Sequence, residues 1–405
     1  MRVVICGAGL GGLVLAQALR GHADVIVLDR DREAADTGGY RIALTPEAVE
    51  VVERHVPASL LGRIRDVSDG PSTFSQFTIA NARLRPIVVA PEPEGQDRML
   101  CQRRALRTLL VEGLGDRIRF SSTVMAAEAL DGGGIVTLHD GTRVEGDVIV
   151  AAEGARSPTV RSIAGAETSR DVGLIGIAGS SPLAGRGSLP SFLRRGPALA
   201  LDHRGLGMFL SLASRGLGPV PAELADAVGP PSLVWGLIAR RDMLGDVARA
   251  PAGELVTRSR SLVEAWHPWM RTQIDASDLG RVAAFNFRAA SPTAPRFPWV
   301  ASRITAIGDA VHAMPPTGGR AGSTAIRSAG ALADALIAGD DIDEAITRYQ
   351  VQVDAWAVPA IRESLGPVRA LQALARPTAK TLARPALAVA GVIGSTIHRS
   401  ALMHR

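Results

Sequence analysis

Lysine is almost absent from this chain, in which Lys380 is the one lysine among 405 residues. The basic character of the sequence therefore comes from arginines, which are scattered without a run. A net charge of +5 over this length is mild. Nucleic-acid binding uses clustered basic patches and is not expected here. The length exceeds that of one small core and suggests about two domains.

Cysteine is also scarce, and Cys6 and Cys101 lack the spacing of metal ligands. Cys6 falls inside an apolar strand, where cysteine behaves as a small buried hydrophobic residue. Neither a disulfide framework nor a metal site is expected, and a reducing compartment fits. Motifs of the G-x-S-x-G and H-E-x-x-H types are missing as well, which argues against serine-hydrolase and zinc-protease chemistry.

Long hydrophobic runs are missing too. The longest late run, residues 386–397, falls well short of the roughly 20 residues that a membrane span needs. We expect a buried terminal helix there, with a peripheral membrane contact as the alternative. Met1 leads directly into a glycine-rich segment and leaves no room for a signal peptide. A cytoplasmic protein without a membrane span is therefore expected.

The first ligand signal is RVVICGAGLGGLVLAQALRGHADVIVLDRD, residues 2–31. Its apolar pattern predicts a buried strand, a glycine turn, a helix and a second strand. In such a turn Gly7 permits the tight bend, Gly9 lets a pyrophosphate approach, and Gly12 lets the helix pack on the strand. The predicted phosphate-binding residues are Gly7, Gly9, Leu10, Gly11 and Gly12.

An acid follows the second strand at Asp29, twenty residues after Gly9. That spacing predicts hydrogen bonds from a ribose 2′-hydroxyl to the Asp29 carboxylate. The carboxylate disfavours a 2′-phosphate, because two negative groups would be pressed together. Arg30 leaves an alternative open, since an arginine can receive a 2′-phosphate or stack near the adenine. The acid at the strand end favours FAD or NAD.

The rest of the chain does not continue as a simple NAD dehydrogenase would. Residues 38–55 predict a short strand and a helix, residues 101–114 an arginine-led amphipathic helix, and residues 117–150 antiparallel strands. Several strand-like runs follow in residues 171–287, and a buried strand returns at residues 303–309. A second G-x-G-x-x-G motif with its strand–helix frame does not occur.

A rigid turn follows that late strand in GDAVHAMPPTGGRAGSTAIRSAG, residues 308–330. Pro315 and Pro316 restrict φ, while Gly318 and Gly319 let the backbone run close to a neighbour. The arrangement suits a ligand that lies across a helix N-terminus. An ordinary strand–turn–helix junction is the alternative interpretation.

These motifs together resemble those of the single-component, FAD-dependent aromatic hydroxylases, the group A flavoprotein monooxygenases. The similarity is greatest to the shorter members, which modify polyketides and antibiotics. Three motifs match in the family's order: the glycine turn, the strand-plus-acid pair Glu153–Gly154, and Gly308–Asp309 with its proline-glycine sequel. The resemblance spans residues 1–340.

The resemblance implies contacts with FAD. Asp309 would bind the ribityl-pyrophosphate part, Arg103 would contact the cofactor from its helix, and Arg41 would lie beside the flavin. A helix N-terminus at the pyrimidine edge would stabilise the negative charge of reduced flavin. The residues implied along that edge are Pro316, Gly318, Gly319, Arg320 and Ala321.

The sequence departs from the family pattern at several positions. Glu153 stands where aspartate is usual, and Asp29 stands where glutamate is usual. At the helix start the family reads glycine-x-glycine-x-asparagine, whereas this chain has Ala321 and Ser323. Arg320 would either add its charge to the field of the helix N-terminus or point to solvent.

The resemblance implies an α/β fold, with a discontinuous Rossmann-like FAD-binding domain, an inserted substrate domain on a mainly antiparallel β-sheet, and C-terminal helices. The expected boundaries are residues 1–72, 98–165 and 282–340 for the FAD-binding domain. Those of the substrate domain are 73–97 and 166–281, and those of the C-terminal helices are 341–405.

The function that follows is an FAD-dependent monooxygenase that uses NADPH or NADH and O2 to hydroxylate an aromatic or polyketide-like small molecule, by way of a flavin C4a-hydroperoxide. The alternatives are an FAD-dependent oxidase or reductase of an apolar small molecule, and a flavin-binding protein without turnover. Halogenases are disfavoured because they need an early lysine and a Trp-x-Trp-x-Ile-Pro motif.

The protein supplies few covalent catalysts in such a reaction, and no catalytic side chain is predicted. His312 is interpreted as a packed or hydrogen-bonded histidine beside the turn, with a catalytic role as the alternative. His203 is interpreted either as a residue of the cavity lining or as an exposed turn residue. Trp235 is interpreted as a core residue.

Overall fold

The computed structural model describes residues 1–375, except residues 40, 70–74, 92–97, 184–188, 214–219, 248, 301 and 340. The apolar run at residues 386–397 lies outside the described residues. Among the helices that are described, none has the length and apolar character needed to cross a membrane.

The β-strands of the described residues have the following bounds. They are β1 (Arg2–Cys6), β2 (Asp24–Leu28), β3 (Arg41–Leu44), β4 (Ser68–Asp69), β5 (Gln76–Asn81), β6 (Pro86–Pro91), β7 (Met99–Gln102), β8 (Ile118–Arg119), β9 (Val124–Leu130), β10 (Gly133–Leu138), β11 (Arg143–Gly146), β12 (Val148–Ala151), β13 (Ser169–Pro182), β14 (Ala198–Leu201), β15 (Gly207–Ala213), β16 (Ser232–Arg240), β17 (Ala283–Ala290) and β18 (Ile304–Ala306).

The α-helices have the following bounds. They are α1 (Leu10–Leu19), α2 (Pro46–His55), α3 (Ala58–Asp66), α4 (Arg103–Val111), α5 (Pro158–Ala164), α6 (Ala225–Val228), α7 (Arg241–Leu244), α8 (Ala252–Leu262), α9 (Pro268–Asp275), α10 (Asp309–His312), α11 (Ala321–Ile337) and α12 (Ile342–Leu374). A short 3-10 helix, Pro316–Gly318, precedes α11.

A five-stranded parallel sheet, in the order β18-β12-β1-β2-β8, carries the glycine turn. Alternate side chains of β1 point to opposite faces. Val3 and Ile5 belong to the core that contains α1, α4 and α11, while Val4 and Cys6 pack against the small antiparallel sheet β11-β10-β9. Cys6 is fully buried, as predicted. Antiparallel pairing was expected for residues 117–150. It holds for β9, β10 and β11 and is wrong for β8, which pairs in parallel with β2.

A seven-stranded sheet forms the second layer, in the order β17-β13-β16-β15-β14-β5-β6. Its neighbours pair antiparallel, apart from β14 and β5, which pair parallel. One of its faces packs on α8 and α9, where Leu255 and Met270 share a core with Trp235. Trp235 is therefore a core residue, as predicted. The Rossmann-like sheet, the antiparallel sheet and the C-terminal helices confirm the predicted fold class, while the exact domain boundaries stay predictions.

A third sheet, β3-β7-β4, joins the nucleotide layer to the seven-stranded sheet. Helix α11 lies against it, since a Cβ at Gly322 would come within 2.4 Å of Ile42 Cδ1. The side chain of Ser323 donates to the Ala43 carbonyl at 2.9 Å and accepts from the Thr45 amide at 3.0 Å. The serine that departs from the family pattern therefore fastens the start of α11 to β3.

Candidate cofactor site

The glycine turn is fixed by two close backbone approaches. Gly7 has φ +115°, and a Cβ there would lie 2.4 Å from the Ala152 carbonyl oxygen. A Cβ at Gly12 would lie 2.0 Å from the Gly7 carbonyl oxygen. Gly9 precedes the first residue of α1, and a Cβ there would meet only Ala152, at 3.9 Å, among the described residues. The backbone thus excludes side chains at Gly7 and Gly12 but leaves the approach to the α1 N-terminus open at Gly9.

The other two residues of the predicted turn face the protein. Leu10 is buried in the core around α1. A Cβ at Gly11 would lie 3.2 Å from the carbonyl oxygen of Ala325 and 3.4 Å from Ile307 Cδ1. A Cβ at Gly308 would lie 3.2 Å from Ala325 Cβ. The first and third motifs therefore meet at Ala325 of α11.

The Asp29 carboxylate is engaged within the protein at the end of β2. Its Oδ2 accepts from the Ala8 amide at 2.5 Å, and its Oδ1 accepts from the Asp31 amide at 2.8 Å. Arg107 completes its surroundings, with Nη2 3.2 Å from Oδ1. The carboxylate thus stabilises the glycine turn, and its predicted contact with a ribose stays a prediction. The Arg30 side chain is largely exposed, and its Nε lies 4.0 Å from the Asp31 carboxylate.

Arg107 is a residue of this region that the sequence interpretation missed. Its side chain is only 2% exposed. Nε donates to the Ala8 carbonyl at 2.8 Å, and Nη1 contacts the Asp31 carboxylate at 2.6 Å. One guanidinium therefore links the glycine turn to the acids that follow β2. Its position one helical turn after Arg103 in an amphipathic helix was the available signal.

Arg103 and Asp309 interact across the predicted ribityl-pyrophosphate region. Arg103 begins α4, and its Nη1 donates to the Thr37 hydroxyl and the Gly38 carbonyl. Burial raises the pKa of Asp309 to about 6, and the Arg103 guanidinium opposes that shift. Burial, reinforced by Arg107, lowers the pKa of Arg103, while Asp309 opposes the shift. Two opposite charges held in a region of little solvent suit a polar cofactor.

The Arg41 side chain is buried between the third sheet, β3-β7-β4, and the seven-stranded sheet. Its guanidinium forms an ion pair with Asp69, and the two side chains are 6% and 4% exposed. Nη2 lies 3.4 Å from the Leu100 carbonyl and Nη1 lies 3.5 Å from the Ser211 hydroxyl of β15. Burial lowers the pKa of Arg41 to about 10. Its Nε is buried and has no hydrogen-bond partner among the described residues.

Glu153 of the second motif binds residues at the start of α5. It accepts from the Ser157 hydroxyl at 2.7 Å and from the hydroxyl of Thr159. Burial raises the pKa of Glu153 in spite of these hydrogen bonds. Gly154 next to it has φ +85°, a left-handed conformation that favours glycine. The acid therefore shapes the turn after β12.

The proline-glycine turn combines exposed and anchored residues. Pro316 is exposed, and Gly319 is exposed with φ +64°. The Thr317 hydroxyl donates to the Ser364 carbonyl at 2.7 Å and so fastens the turn to α12. Ala321 packs against the cluster that contains Met314 and Ile361.

Arg320 and His312 have partners within the protein. The guanidinium of Arg320 pairs with Glu363 at 2.7 Å, and both side chains are substantially exposed. This pairing favours the solvent-facing alternative for Arg320. His312 is fully buried, with Nε2 2.8 Å from the Ser328 hydroxyl, and burial lowers its pKa to about 4. His312 is therefore the packed, hydrogen-bonded histidine that the sequence predicted. His203 is an exposed turn residue.

The residues present fit an adenine dinucleotide. The approach to α1 is open at Gly9, whereas Gly7 and Gly12 let the backbone come close. Asp309 offers an acceptor and Arg103 a donor. Among the described residues, no group of three or more His, Cys, Asp or Glu side chains is arranged to hold a metal ion.

Comparison with known proteins shows that the chain is similar to proteins that bind FAD. Residues 1–192 match the FAD binding domain family. The chain is 25% identical over 373 residues to the dual O-methyltransferase/FAD-dependent monooxygenase elcB of Phaeosphaeria nodorum, covering 82% of this chain and 39% of elcB. It is 25% identical over 374 residues to the monooxygenase cfoF of Aspergillus candidus, covering 86% and 85%.

A solved structure, described as a putative FAD containing monooxygenase from Photorhabdus luminescens, has a TM-score of 0.76 at 27% identity and covers 93% of this chain and 98% of its own. The chain spans about two fifths of the length of the first curated relatives that it matches. Residues 1–192 thus match an FAD binding domain, and most of the chain is similar to proteins named as FAD-dependent monooxygenases.

Proposed function

We propose that this protein uses NADPH or NADH and O2 to hydroxylate an aromatic or polyketide-like small molecule in the cytoplasm. The observation that supports the proposal is the meeting of the glycine turn and the Gly308–Asp309 motif at Ala325. It brings the N-terminus of α1, where we propose that phosphate binds, close to a partly buried acid. The monooxygenase relatives support the same reaction class.

FAD would supply hydride acceptance and oxygen activation. The open N-terminus of α1 would bind the pyrophosphate, and Asp29 would contact the adenosine ribose. Arg103 and Asp309 would hold the ribityl-pyrophosphate portion. Arg41 would lie beside the flavin. The residues proposed along the flavin edge are Pro316, Gly318, Gly319, Arg320 and Ala321.

The protein's own part in this reaction is to position a substrate and keep the site dry. The sheet-bearing residues 73–97 and 166–281 are proposed as the substrate domain, and residues 1–72, 98–165 and 282–340 as the FAD-binding domain. Residues 341–405 are proposed to be C-terminal helices. The neutral His312 beside Asp309 is proposed to support the turn and not to transfer protons.

Nicotinamide oxidation in the presence of aromatic polyketides tests this proposal. A hydroxylase is expected to bind FAD, consume NADPH or NADH and O2, and do so faster when its substrate is present. An oxidase would turn over without nicotinamide, and a non-turnover flavin protein would consume none. Either of these two results would contradict the proposed function.

A further inference from the structure

Helix α12 is held by hydrogen bonds to two different sheets. In its first part, the buried Tyr349 hydroxyl donates to the Ala306 carbonyl of β18 at 2.9 Å. In its last part, Gln372 Nε2 donates to the Val172 carbonyl of β13 at 2.8 Å. Strand β18 belongs to the parallel sheet and β13 to the seven-stranded sheet. The helix therefore has a fixed position relative to both layers.

The proline-glycine turn lies against the middle of α12, between these two attachments. Ala321 at the end of the turn and Leu365 of the helix pack against one cluster, which contains Ile361. Pro359 and Pro367 lie inside α12 on either side of this contact. A proline inside a helix removes one hydrogen bond of the helical ladder. The stretch of α12 that contacts the turn therefore begins and ends at positions where the ladder is interrupted.

Pro367 interrupts the helical ladder at the point where the turn is attached. Because Pro367 has no N–H, it cannot donate to the Glu363 carbonyl, and its ring crowds that carbonyl. The next carbonyl, that of Ser364, accepts a hydrogen bond from the Thr317 hydroxyl at 2.7 Å. Insertion of an outside side chain is common where the ladder of a helix is interrupted. Thr317 is thus attached to the backbone of α12 and not to one of its side chains.

The hydrogen bond of Thr317 is better protected from solvent than the other polar contact between the turn and α12. Arg320 pairs with Glu363, but both side chains are substantially exposed, and exposed ion pairs contribute little. The Thr317 hydrogen bond is partly buried, and Ser364 is fully buried. Gly319, between Thr317 and Arg320, has φ +64° and no side chain that could hold the turn. We therefore expect Thr317 to determine where the turn lies.

We propose that Thr317 is a positioning residue for the flavin: through its hydrogen bond to the Ser364 carbonyl it holds the N-terminus of α11 at the pyrimidine edge, and it thereby raises the reduction potential of bound FAD. The inference rests on the proposed function, in which Pro316 and Ala321 lie along that edge. The partial positive charge of a helix N-terminus stabilises a negative charge only at short range. A turn released from α12 would hold this charge less closely to the flavin, and reduced flavin would be less stable.

Thr317→Val tests the inference, because valine keeps the shape of threonine and removes its hydroxyl. The reduction potential of bound FAD is measured by equilibration with a redox dye during slow enzymatic reduction, without nicotinamide and without an aromatic substrate. The equilibrium between oxidised and reduced flavin is expected to shift toward the oxidised form by about two- to tenfold, the factor that corresponds to one lost hydrogen bond. Thr317→Ser retains a hydroxyl and is expected to keep a potential close to that of the parent.

Thr347→Val is the matched control, because Thr347 is exposed on α12 and its hydroxyl donates to the Asp343 carbonyl at 2.8 Å. Thr347 lies about 25 Å along the helix from Ser364. The control variant is expected to have the potential and the FAD retention of the parent. Thr317→Ala, which also lacks the hydroxyl, replaces the valine variant if that one does not fold. A folded Thr317→Val protein that loses FAD, while Thr317→Ser retains it, would support the same role.

A parent-like potential in Thr317→Val would overturn the positioning role, even if urea unfolding shows a less stable apoprotein, because a purely structural contact changes stability alone. A valine-like potential in Thr317→Ser, or an equal shift in Thr347→Val, would overturn it as well. In each of these cases, substrate-stimulated NAD(P)H oxidation by the parent would leave the proposed function standing. Parent protein that retains no FAD would overturn both proposals.

Discussion

Arg41 and Asp69 form an ion pair that is almost entirely buried, although they come from two strands, β3 and β4, that do not pair with each other. Both strands pair with β7, which brings the two side chains together. The pair stands at the junction of the nucleotide layer and the seven-stranded sheet, where Ser211 approaches it. We therefore expect the stability of the protein to depend on the presence of both side chains.

Removing Asp69 alone is expected to destabilise the protein severely. Asp69→Ala would leave a buried guanidinium without its counter-charge, which costs about 3–5 kcal/mol of unfolding free energy. Urea unfolding measures the loss. The exposed pair Arg2–Asp24 provides a control, because Asp24→Ala is expected to cost less than about 1 kcal/mol. Equal losses of unfolding free energy in the two variants would contradict the stabilising role of the buried ion pair.

Because Asp309 is buried, we expect the free energy of unfolding of the apoprotein to depend on pH, and Asp309→Asn to change that dependence. Its folded-state pKa of about 6 lies above the ordinary value of 3.8, so the folded state binds this proton more tightly than the unfolded state. The group's stabilising contribution is present below about pH 4 and is lost as the pH rises through 6. Asp309→Asn should therefore stabilise the apoprotein above pH 6, by at most about 3 kcal/mol.

Urea midpoints of the parent and Asp309→Asn apoproteins between pH 4 and 8 measure this difference. The same variant is expected to retain FAD less well, because a hydrogen bond to a charged group contributes on the order of 1.5–3 kcal/mol. Asp116→Asn, at an exposed position, is the control and should change neither property. A pH-independent difference would show that Asp309 does not titrate in this window.

Arg107 is expected to be irreplaceable by lysine. Its guanidinium contacts the Ala8 carbonyl, Asp29 and Asp31 at once, and a lysine ammonium lacks the planar fork for such simultaneous contacts. Arg107→Lys should lower both unfolding free energy and FAD retention. Arg32→Lys, at a largely exposed side chain, should change the unfolding free energy by less than about 0.5 kcal/mol. Equal behaviour of the two variants would refute the linking role.

Two substitutions in the glycine turn are expected to distinguish an effect on folding from an effect on cofactor binding. Gly12→Ala places a methyl 2.0 Å from the Gly7 carbonyl oxygen and is expected to disrupt the turn. Gly9→Ala has room in the apoprotein but puts its methyl where a pyrophosphate approaches. Gly9→Ala is therefore expected to unfold like the parent and to bind FAD more weakly. Parent-like FAD affinity in this variant would contradict the proposed pyrophosphate position.

The nucleotide fold could be predicted because its signals are local. The residues from Val3 to Asp29 carry strand, turn and helix patterns within one short segment, and the structure follows them. The contacts of Arg41 with Asp69 and of Ser323 with β3 could not be predicted, because they join residues far apart in sequence through tertiary packing.

The length of helix α12 also could not be predicted from local sequence. Pro359 and Pro367 would end or kink a helix on local grounds, yet α12 continues through both. Its buried residues, among them Val353, Ile361 and Val368, pack on the rest of the protein. Local propensity therefore identifies the glycine turn correctly and underestimates this helix.

Incorporation of labelled oxygen is the most direct test of the proposed hydroxylation. The protein, loaded with FAD, is supplied with NADPH or NADH, a panel of aromatic and polyketide-like compounds and ¹⁸O2, and the products are analysed by mass spectrometry. We predict a product that contains one ¹⁸O atom, with nicotinamide oxidation that depends on the aromatic compound. Oxidation of the aromatic compounds with hydrogen peroxide release and no labelled product, or no consumption of nicotinamide with any of them, would contradict it.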